Sequence, residues 1–168
     1  DYLVAFAKEH GFDYVQDEMN NVIIYKPATP GYENAPTVIL QGHMDMVCEK
    51  RPDVQHDFEK DGLNLSVKDG YVTANGTTLG GDDGIAVAYA LALLDSTDLP
   101  HPALEVLITV DEEIGLLGAV GLDCSVLKGK RMINMDSEAG GSLWISCAGR
   151  LSAVSHIPVA RVDAEGEK

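Results

Sequence analysis

The sequence predicts an α/β domain with a mixed, largely parallel sheet flanked by helices. Three observations carry that expectation. The apolar runs of "VILQG", "LEVLITV" and "RMINM" read as buried strands. Between the first two lies "IAVAYALALLDS", a helix apolar on almost every side and therefore expected to be buried all round. Strand, buried helix, strand, short helix, strand is the rhythm of a sheet covered on both faces.

The chain opens in "DYLVAFAKEHGF", where Leu3, Val4, Phe6 and Ala7 have helical spacing and Gly11 suits the C-cap. With Asp1 in place of an initiator Met, this reads as a helix met midway, so the chain is expected to be a fragment of a longer protein. Two strands follow in "FDYVQDEMNNVIIYKP", joined at Asn20 and Asn21, which tolerate left-handed turn geometry. Residues 27–36 are a loop by their Pro and Gly content. Residues 49–75 read as a polar surface excursion in which "LNLSVKDGYVTAN" alternates at period two around Asp69-Gly70, a hairpin signal. "TTLGGDDG" is a Gly-rich turn into the buried helix, and "LLGAVGLD" a short helix or turn. From Ser142, "SLWISCAG" suggests a further strand. The domain is expected to occupy residues 1–150, with 151–168 leading out of it.

At 168 residues and 45% hydrophobic content, the chain can bury a substantial core. It carries 12 basic against 27 acidic residues, a formal charge of −15. That balance argues against nucleic acid and anionic membrane surfaces as partners and favours cations. Cys48, Cys124 and Cys147 are too few and too scattered for a disulfide framework, and none forms a CxxC pair, which fits a reducing cytoplasm. No apolar run approaches the roughly 20 residues that span a bilayer, and the start lacks the features of a secretory signal. A cytoplasmic location is expected.

The chemistry gathers at strand ends. His43 and Asp45 follow "VILQG", at positions i and i+2, whose side chains point to the same side of a strand. Asp111, Glu112 and Glu113 follow "VLITV", Asp136 and Glu138 follow "RMINM", and the Gly-rich turn adds Asp82 and Asp83. In open α/β sheets the carboxyl ends of strands form the functional crevice, so these groups are expected to converge on one edge, where so much like charge needs a cation. Each motif alone has an ordinary explanation. A His-x-Asp is more often a surface or capping pair, Asp-Asp-Gly an N-cap, and Asp-Glu-Glu a solvated turn. Their joint occurrence after apolar strands is not explained by solubility. Imidazole with several carboxylates and no cysteine pair suits Zn²⁺, Co²⁺ or Mn²⁺ in a hydrolytic site.

Together "GHMDMVCEK", "TTLGGDDGIAVA", "TVDEEIGLLGA" and "INMDSE" closely resemble the aminoacyl-histidine dipeptidases of the dinuclear zinc peptidase superfamily, in order and over nearly the whole chain. The resemblance implies a zinc-peptidase catalytic domain holding two divalent ions, Zn²⁺ with Co²⁺ or Mn²⁺ as alternatives. It makes His43 and Asp136 ligands of the first metal, Asp82 the bridge between the two, and Glu113 a ligand of the second. Asp45 orients the His43 ring and Glu112 is the general base, acting on a metal-bridging water that attacks the amide carbon. The implied substrate is a short peptide ending in histidine. The family places a second metal-binding histidine after a lid domain that often forms a dimer interface, and the sequence stops before both. The isolated chain is therefore expected to be inactive, and the full-length protein a homodimer. His10, His56, His101 and His156 are expected to be structural or solvated, and Arg150 stands where the family leads one to expect glycine. Two alternatives remain: another peptidase or amidohydrolase of the superfamily, such as a tripeptidase, aminoacylase or carboxypeptidase, or a noncatalytic acidic module binding Ca²⁺ or a basic partner. The second is opposed by the absence of an EF-hand pattern and by His43, a poor Ca²⁺ ligand.

Overall fold

The protein is described by a computed structural model covering residues 1–137, 140–147, 149, 151 and 153–160. Its contacts divide it into two units, Asp1–Glu138 and Ala139–Lys168. Glu138, Arg150 and residues 161–168, on which the sequence raised expectations, lie outside the described residues.

The first unit begins with α1 (Tyr2–Glu9) and the hairpin of β1 (Asp13–Gln16) and β2 (Val22–Lys26). It continues through β3 (Val38–His43), the hairpin of β4 (Leu65–Lys68) and β5 (Tyr71–Ala74), α2 (Gly81–Asp95), β6 (Leu104–Thr109), α3 (Leu117–Gly121) and β7 (Arg131–Asn134). Five strands make one sheet in the order β1-β2-β6-β3-β7. The three apolar runs pair in parallel, with β3 between β6 and β7. The N-terminal hairpin extends the sheet antiparallel through β2 on β6. This is the predicted mixed sheet flanked by helices.

Alternation along the strands gives the sheet two apolar faces. Val22, Ile24, Leu40, Val106 and Ile108 pack with Leu3 and Ala7 of α1 and Ala90 and Leu94 of α2. Ile23, Ile39 and Leu107 face the other way, toward Leu122, Val126 and Leu127. Each fully buried Ile or Leu contributes about 1.5–3 kcal/mol. Helix α1 closes as expected at Gly11, whose N–H donates to the Lys8 carbonyl while Phe12 N–H donates to Ala7. The two hairpin turns also fall where the sequence put them, with Asn20 at φ 71° in one and Asp69 and Gly70 at φ 52° and 83° in the other.

Three expectations are corrected. Strand β7 is paired but not buried: it is the edge strand, bonded to β3 alone among the described strands, and all four of its residues are exposed. Helix α2 is not buried all round: Ala86, Ala90 and Leu94 are buried, but Ile85 and Tyr89 stay 54% and 60% exposed. A sheet covers one stripe of a helix, here the i, i+4, i+8 row, and an apolar opposite stripe does not by itself supply a second partner. In the second unit, residues 142–147 and 149 form no strand, and Leu143 and Ile145 are 97% and 99% exposed. Alternation needs a neighbouring strand, and among the described residues of this unit there is none.

Candidate metal centre

Register brings the strand ends to one edge. His43 stands opposite Thr109 of β6, and Gln41 opposite Asn134 of β7. The residues that follow, Asp45, Glu112, Glu113 and Asp136, therefore emerge together beside Asp82 and Asp83 at the start of α2. That start lies close against β3 because Gly42 has no side chain: a Cβ there would meet Asp83 Oδ2 at 2.6 Å and Ala86 Cβ at 2.8 Å.

His43 is the hub, with 1% of its surface exposed. Its Nε2 lies 3.2 Å from Asp82 Oδ1, 3.9 Å from Glu112 Oε2 and 4.0 Å from Asp136 Oδ2. Its Nδ1 lies 3.0 Å from the Asp45 carbonyl and 3.3 Å from Asp45 Oδ1. A neutral ring with its proton on Nδ1, facing these oxygens, turns a lone pair on Nε2 toward the other carboxylates. Asp45 Oδ2 accepts the Glu113 N–H at 3.1 Å, tying the end of β3 to the acidic turn after β6. Asp45 Oδ1 is buried without an aligned hydrogen bond.

Two sets of donor atoms converge within 4.8 Å of one another: those of His43, Glu112 and Asp136, and those of His43, Asp82 and Glu113. An imidazole and carboxylates at this spacing could hold a divalent ion. The residues singled out from sequence are thus brought together but in another grouping: Glu112, expected to be the base, stands with His43 and Asp136, while Asp82 and Glu113 form a set with His43. His10, His56, His101 and His156 belong to neither set. His10 pairs with Asp95 at 3.1 Å, His101 is buried against the Pro102 carbonyl, His56 meets the Phe58 ring edge-on, and His156 is exposed.

The crowding shows in the titrating groups. Burial pushes the carboxyls of Asp83, Glu112 and Asp136 above the usual range, and neighbouring acids add to the rise at each. Burial alone would lower His43, but the hydrogen bond to Asp82 and the charges of Asp45, Asp136 and Glu112 outweigh it, and the ring is raised. All four groups hold protons to higher pH folded than unfolded, so without metal their contribution to stability falls as pH rises through those values. For the metal-stripped chain, the melting temperature minus that of Asp136→Asn is expected to fall as pH rises above about 4, the value of a free carboxyl. A difference that does not change with pH contradicts this.

The sequence assigns no role to Asp83; its position in the fold does. Asp83 is 2% exposed, accepts the His43 N–H at 3.3 Å and faces the Ala86 amide, so it fastens α2 to the end of β3. The sequence signal was the doubled acid after Gly80-Gly81, which does not say which acid turns inward.

Residues 39–142, which include every proposed ligand, match the family model described as Peptidase family M20/M25/M40. The chain is 44% identical over 161 residues to the cytosol non-specific dipeptidase of Escherichia coli (strain K12), covering 96% of this chain and 33% of that protein. Its structure is similar to that of the aminoacylhistidine dipeptidase from Vibrio alginolyticus, with a TM-score of 0.80 and 49% identity over 83% of this chain and 29% of the other. It is also similar to a tripeptidase from Staphylococcus aureus, with a TM-score of 0.67 and 28% identity over 82% of this chain and 37% of the other. The chain thus spans about a third of the length of these relatives. On the family match and the identity to the Escherichia coli protein, the chain belongs to Peptidase family M20/M25/M40.

Proposed function

We propose that the chain is part of the catalytic domain of a metal-dependent peptidase that hydrolyses short peptides, Xaa-His dipeptides first among them. Residues 1–150 belong to that domain and 151–168 lead toward a lid. The observation that carries the reading is a buried imidazole ringed by Asp82, Glu112 and Asp136 at the carboxyl edge of the sheet. His43, Asp82 and Asp136 would hold one divalent ion, and Asp82 with Glu113 a second, Zn²⁺ before Co²⁺ or Mn²⁺. Bound there, such ions polarise a peptide carbonyl and lower the pKa of water.

The chain's own groups supply the rest. Asp45 fixes the His43 ring from its Nδ1 side and, through the Glu113 N–H, the acidic turn. Glu112, raised by burial, removes a proton as the water oxygen bonds to the amide carbon, then gives that proton to the nitrogen as the C–N bond breaks. The two products are a free carboxylate and a free amine. A cytoplasmic setting and a homodimeric full-length protein belong to the same reading.

Preference for histidine is supported by the aminoacylhistidine dipeptidase structure, while the tripeptidase keeps a related specificity in play. A panel of dipeptides and tripeptides, assayed with the protein that carries this chain, separates them. We expect hydrolysis of β-alanyl-histidine that is lost on chelation and restored by Zn²⁺. Hydrolysis indifferent to chelation overturns the proposal, and faster cleavage of tripeptides moves it to the tripeptidase branch.

A further inference from the structure

The turn from β6 to α3 carries Asp111, Glu112 and Glu113 and is closed at its base. Gly118 N–H donates to the Val110 carbonyl at 3.1 Å, and Leu117 N–H to Asp111 at 3.0 Å. Inside the turn, Asp111 (φ 53°) and Leu116 (φ 62°) adopt left-handed conformations that side chains disfavour, so surrounding contacts must impose them. Asn21, from the opposite end of the sequence, provides such contacts.

Asn21 is 0% exposed. Its Oδ1 accepts the Val110 N–H at 3.1 Å, and its Nδ2 donates to the Gly118 carbonyl at 2.9 Å and to Asp17 Oδ2 at 2.7 Å. One amide therefore grips both stems of the turn. Asp17 Oδ1 also accepts the Asn21 backbone N–H at 2.8 Å, anchoring the gripping residue itself. The stems can come this close because residue 118 is glycine: a Cβ there would lie 2.2 Å from the Val110 oxygen and 2.6 Å from Asn21 Oδ1. Two oxygens face the amide nitrogen and one N–H faces its oxygen, a pattern that aspartate, an acceptor only when ionised, cannot meet.

We propose that Asn21 is a positioning residue for the metal centre, a clip whose amide holds the Val110 and Gly118 stems so that Glu112 and Glu113 face His43. The role rests on the functional reading above. The hydrogen bonds of Asn21 go to none of the proposed ligands, so it acts through the turn alone.

The test combines amide hydrogen exchange on metal-stripped chain with calorimetric Zn²⁺ titration, for wild type, Asn21→Ala, Asn21→Asp and the core control Leu94→Ala. Leu94 is buried in the main core and belongs to neither set of donor groups. Removing the clip should speed exchange at Val110 by about tenfold, the effect of losing one buried hydrogen bond, with little change in β3. It should also weaken Zn²⁺ binding by on the order of 10-fold to 100-fold, the usual cost of losing a group that supports ligands. Asn21→Asp should be the worse variant, since it sets a carboxylate against Asp17 and the Gly118 carbonyl. Leu94→Ala should lower the melting temperature and leave zinc affinity within about twofold of wild type. Unchanged exchange at Val110 overturns the clip whether or not metal binds. Equal weakening of zinc in Leu94→Ala reduces Asn21 to general stability and overturns its positioning role. A wild type that takes up no zinc overturns the functional reading, and the positioning role with it.

Discussion

In the full-length protein, replacing Glu112 by glutamine is expected to lower turnover by at least about 10² to 10⁴-fold, the usual contribution of a general base, while zinc content stays near wild type. Glutamine keeps the shape and hydrogen-bonding reach of the side chain but cannot take a proton from water. The surroundings of Glu112 suit a base, since its Oε2 lies 3.9 Å from His43 Nε2, its side chain is 29% exposed, and burial raises its pKa. The same position puts it within ligand distance of His43 and Asp136, so the metal assay separates two roles. Activity above a tenth of wild type removes Glu112 as the base. Loss of zinc together with activity makes it a ligand.

Features set by local chemistry could be read from the sequence. Asn20 and Asp69-Gly70 mark their turns because few residues accept positive φ, and continuous apolar runs mark the buried strands β3 and β6, while the shorter run of β7 marks an edge strand whose residues are exposed. The members of the candidate metal centre were legible for a related reason: each follows one of those runs or starts the helix between them, so the topology of the sheet brings them together. What stayed hidden depends on distant partners. Asn21 reads as half of a turn, yet its amide serves Val110 and Gly118, 89 and 97 residues away. The inward turn of Asp83 depends on the missing side chain of Gly42 on another element. Periodicity shows which residues of α2 are apolar but not how many neighbours cover them, and the alternation of residues 142–149 does not guarantee a partner strand.

Replacing Asp82 by alanine is expected to weaken metal binding and, in the full-length protein, to lose activity with it. Asp82 Oδ1 is the carboxylate oxygen nearest His43 Nε2, and Asp82 is the proposed ligand shared by both ions, so its loss would weaken the hold on each. Without metal, Asp82, Glu112, Glu113 and Asp136 repel one another in the folded chain, and an ion that binds only the folded form removes that penalty. Zinc at a hundredfold excess over its dissociation constant adds about 2.7 kcal/mol to wild-type stability. For a chain of this size, that is roughly 5–10 °C in melting temperature. The decisive measurement is a calorimetric titration of metal-stripped chain with Zn²⁺, wild type beside Asp82→Ala, with Ca²⁺ titrated in parallel. The expected result is wild-type binding that favours Zn²⁺ over Ca²⁺ and is weakened by Asp82→Ala at least as much as a lost supporting group would weaken it, about tenfold or more. A wild type that takes up no zinc or prefers Ca²⁺, or an alanine variant that binds zinc equally well, would contradict a shared metal centre at this edge of the sheet.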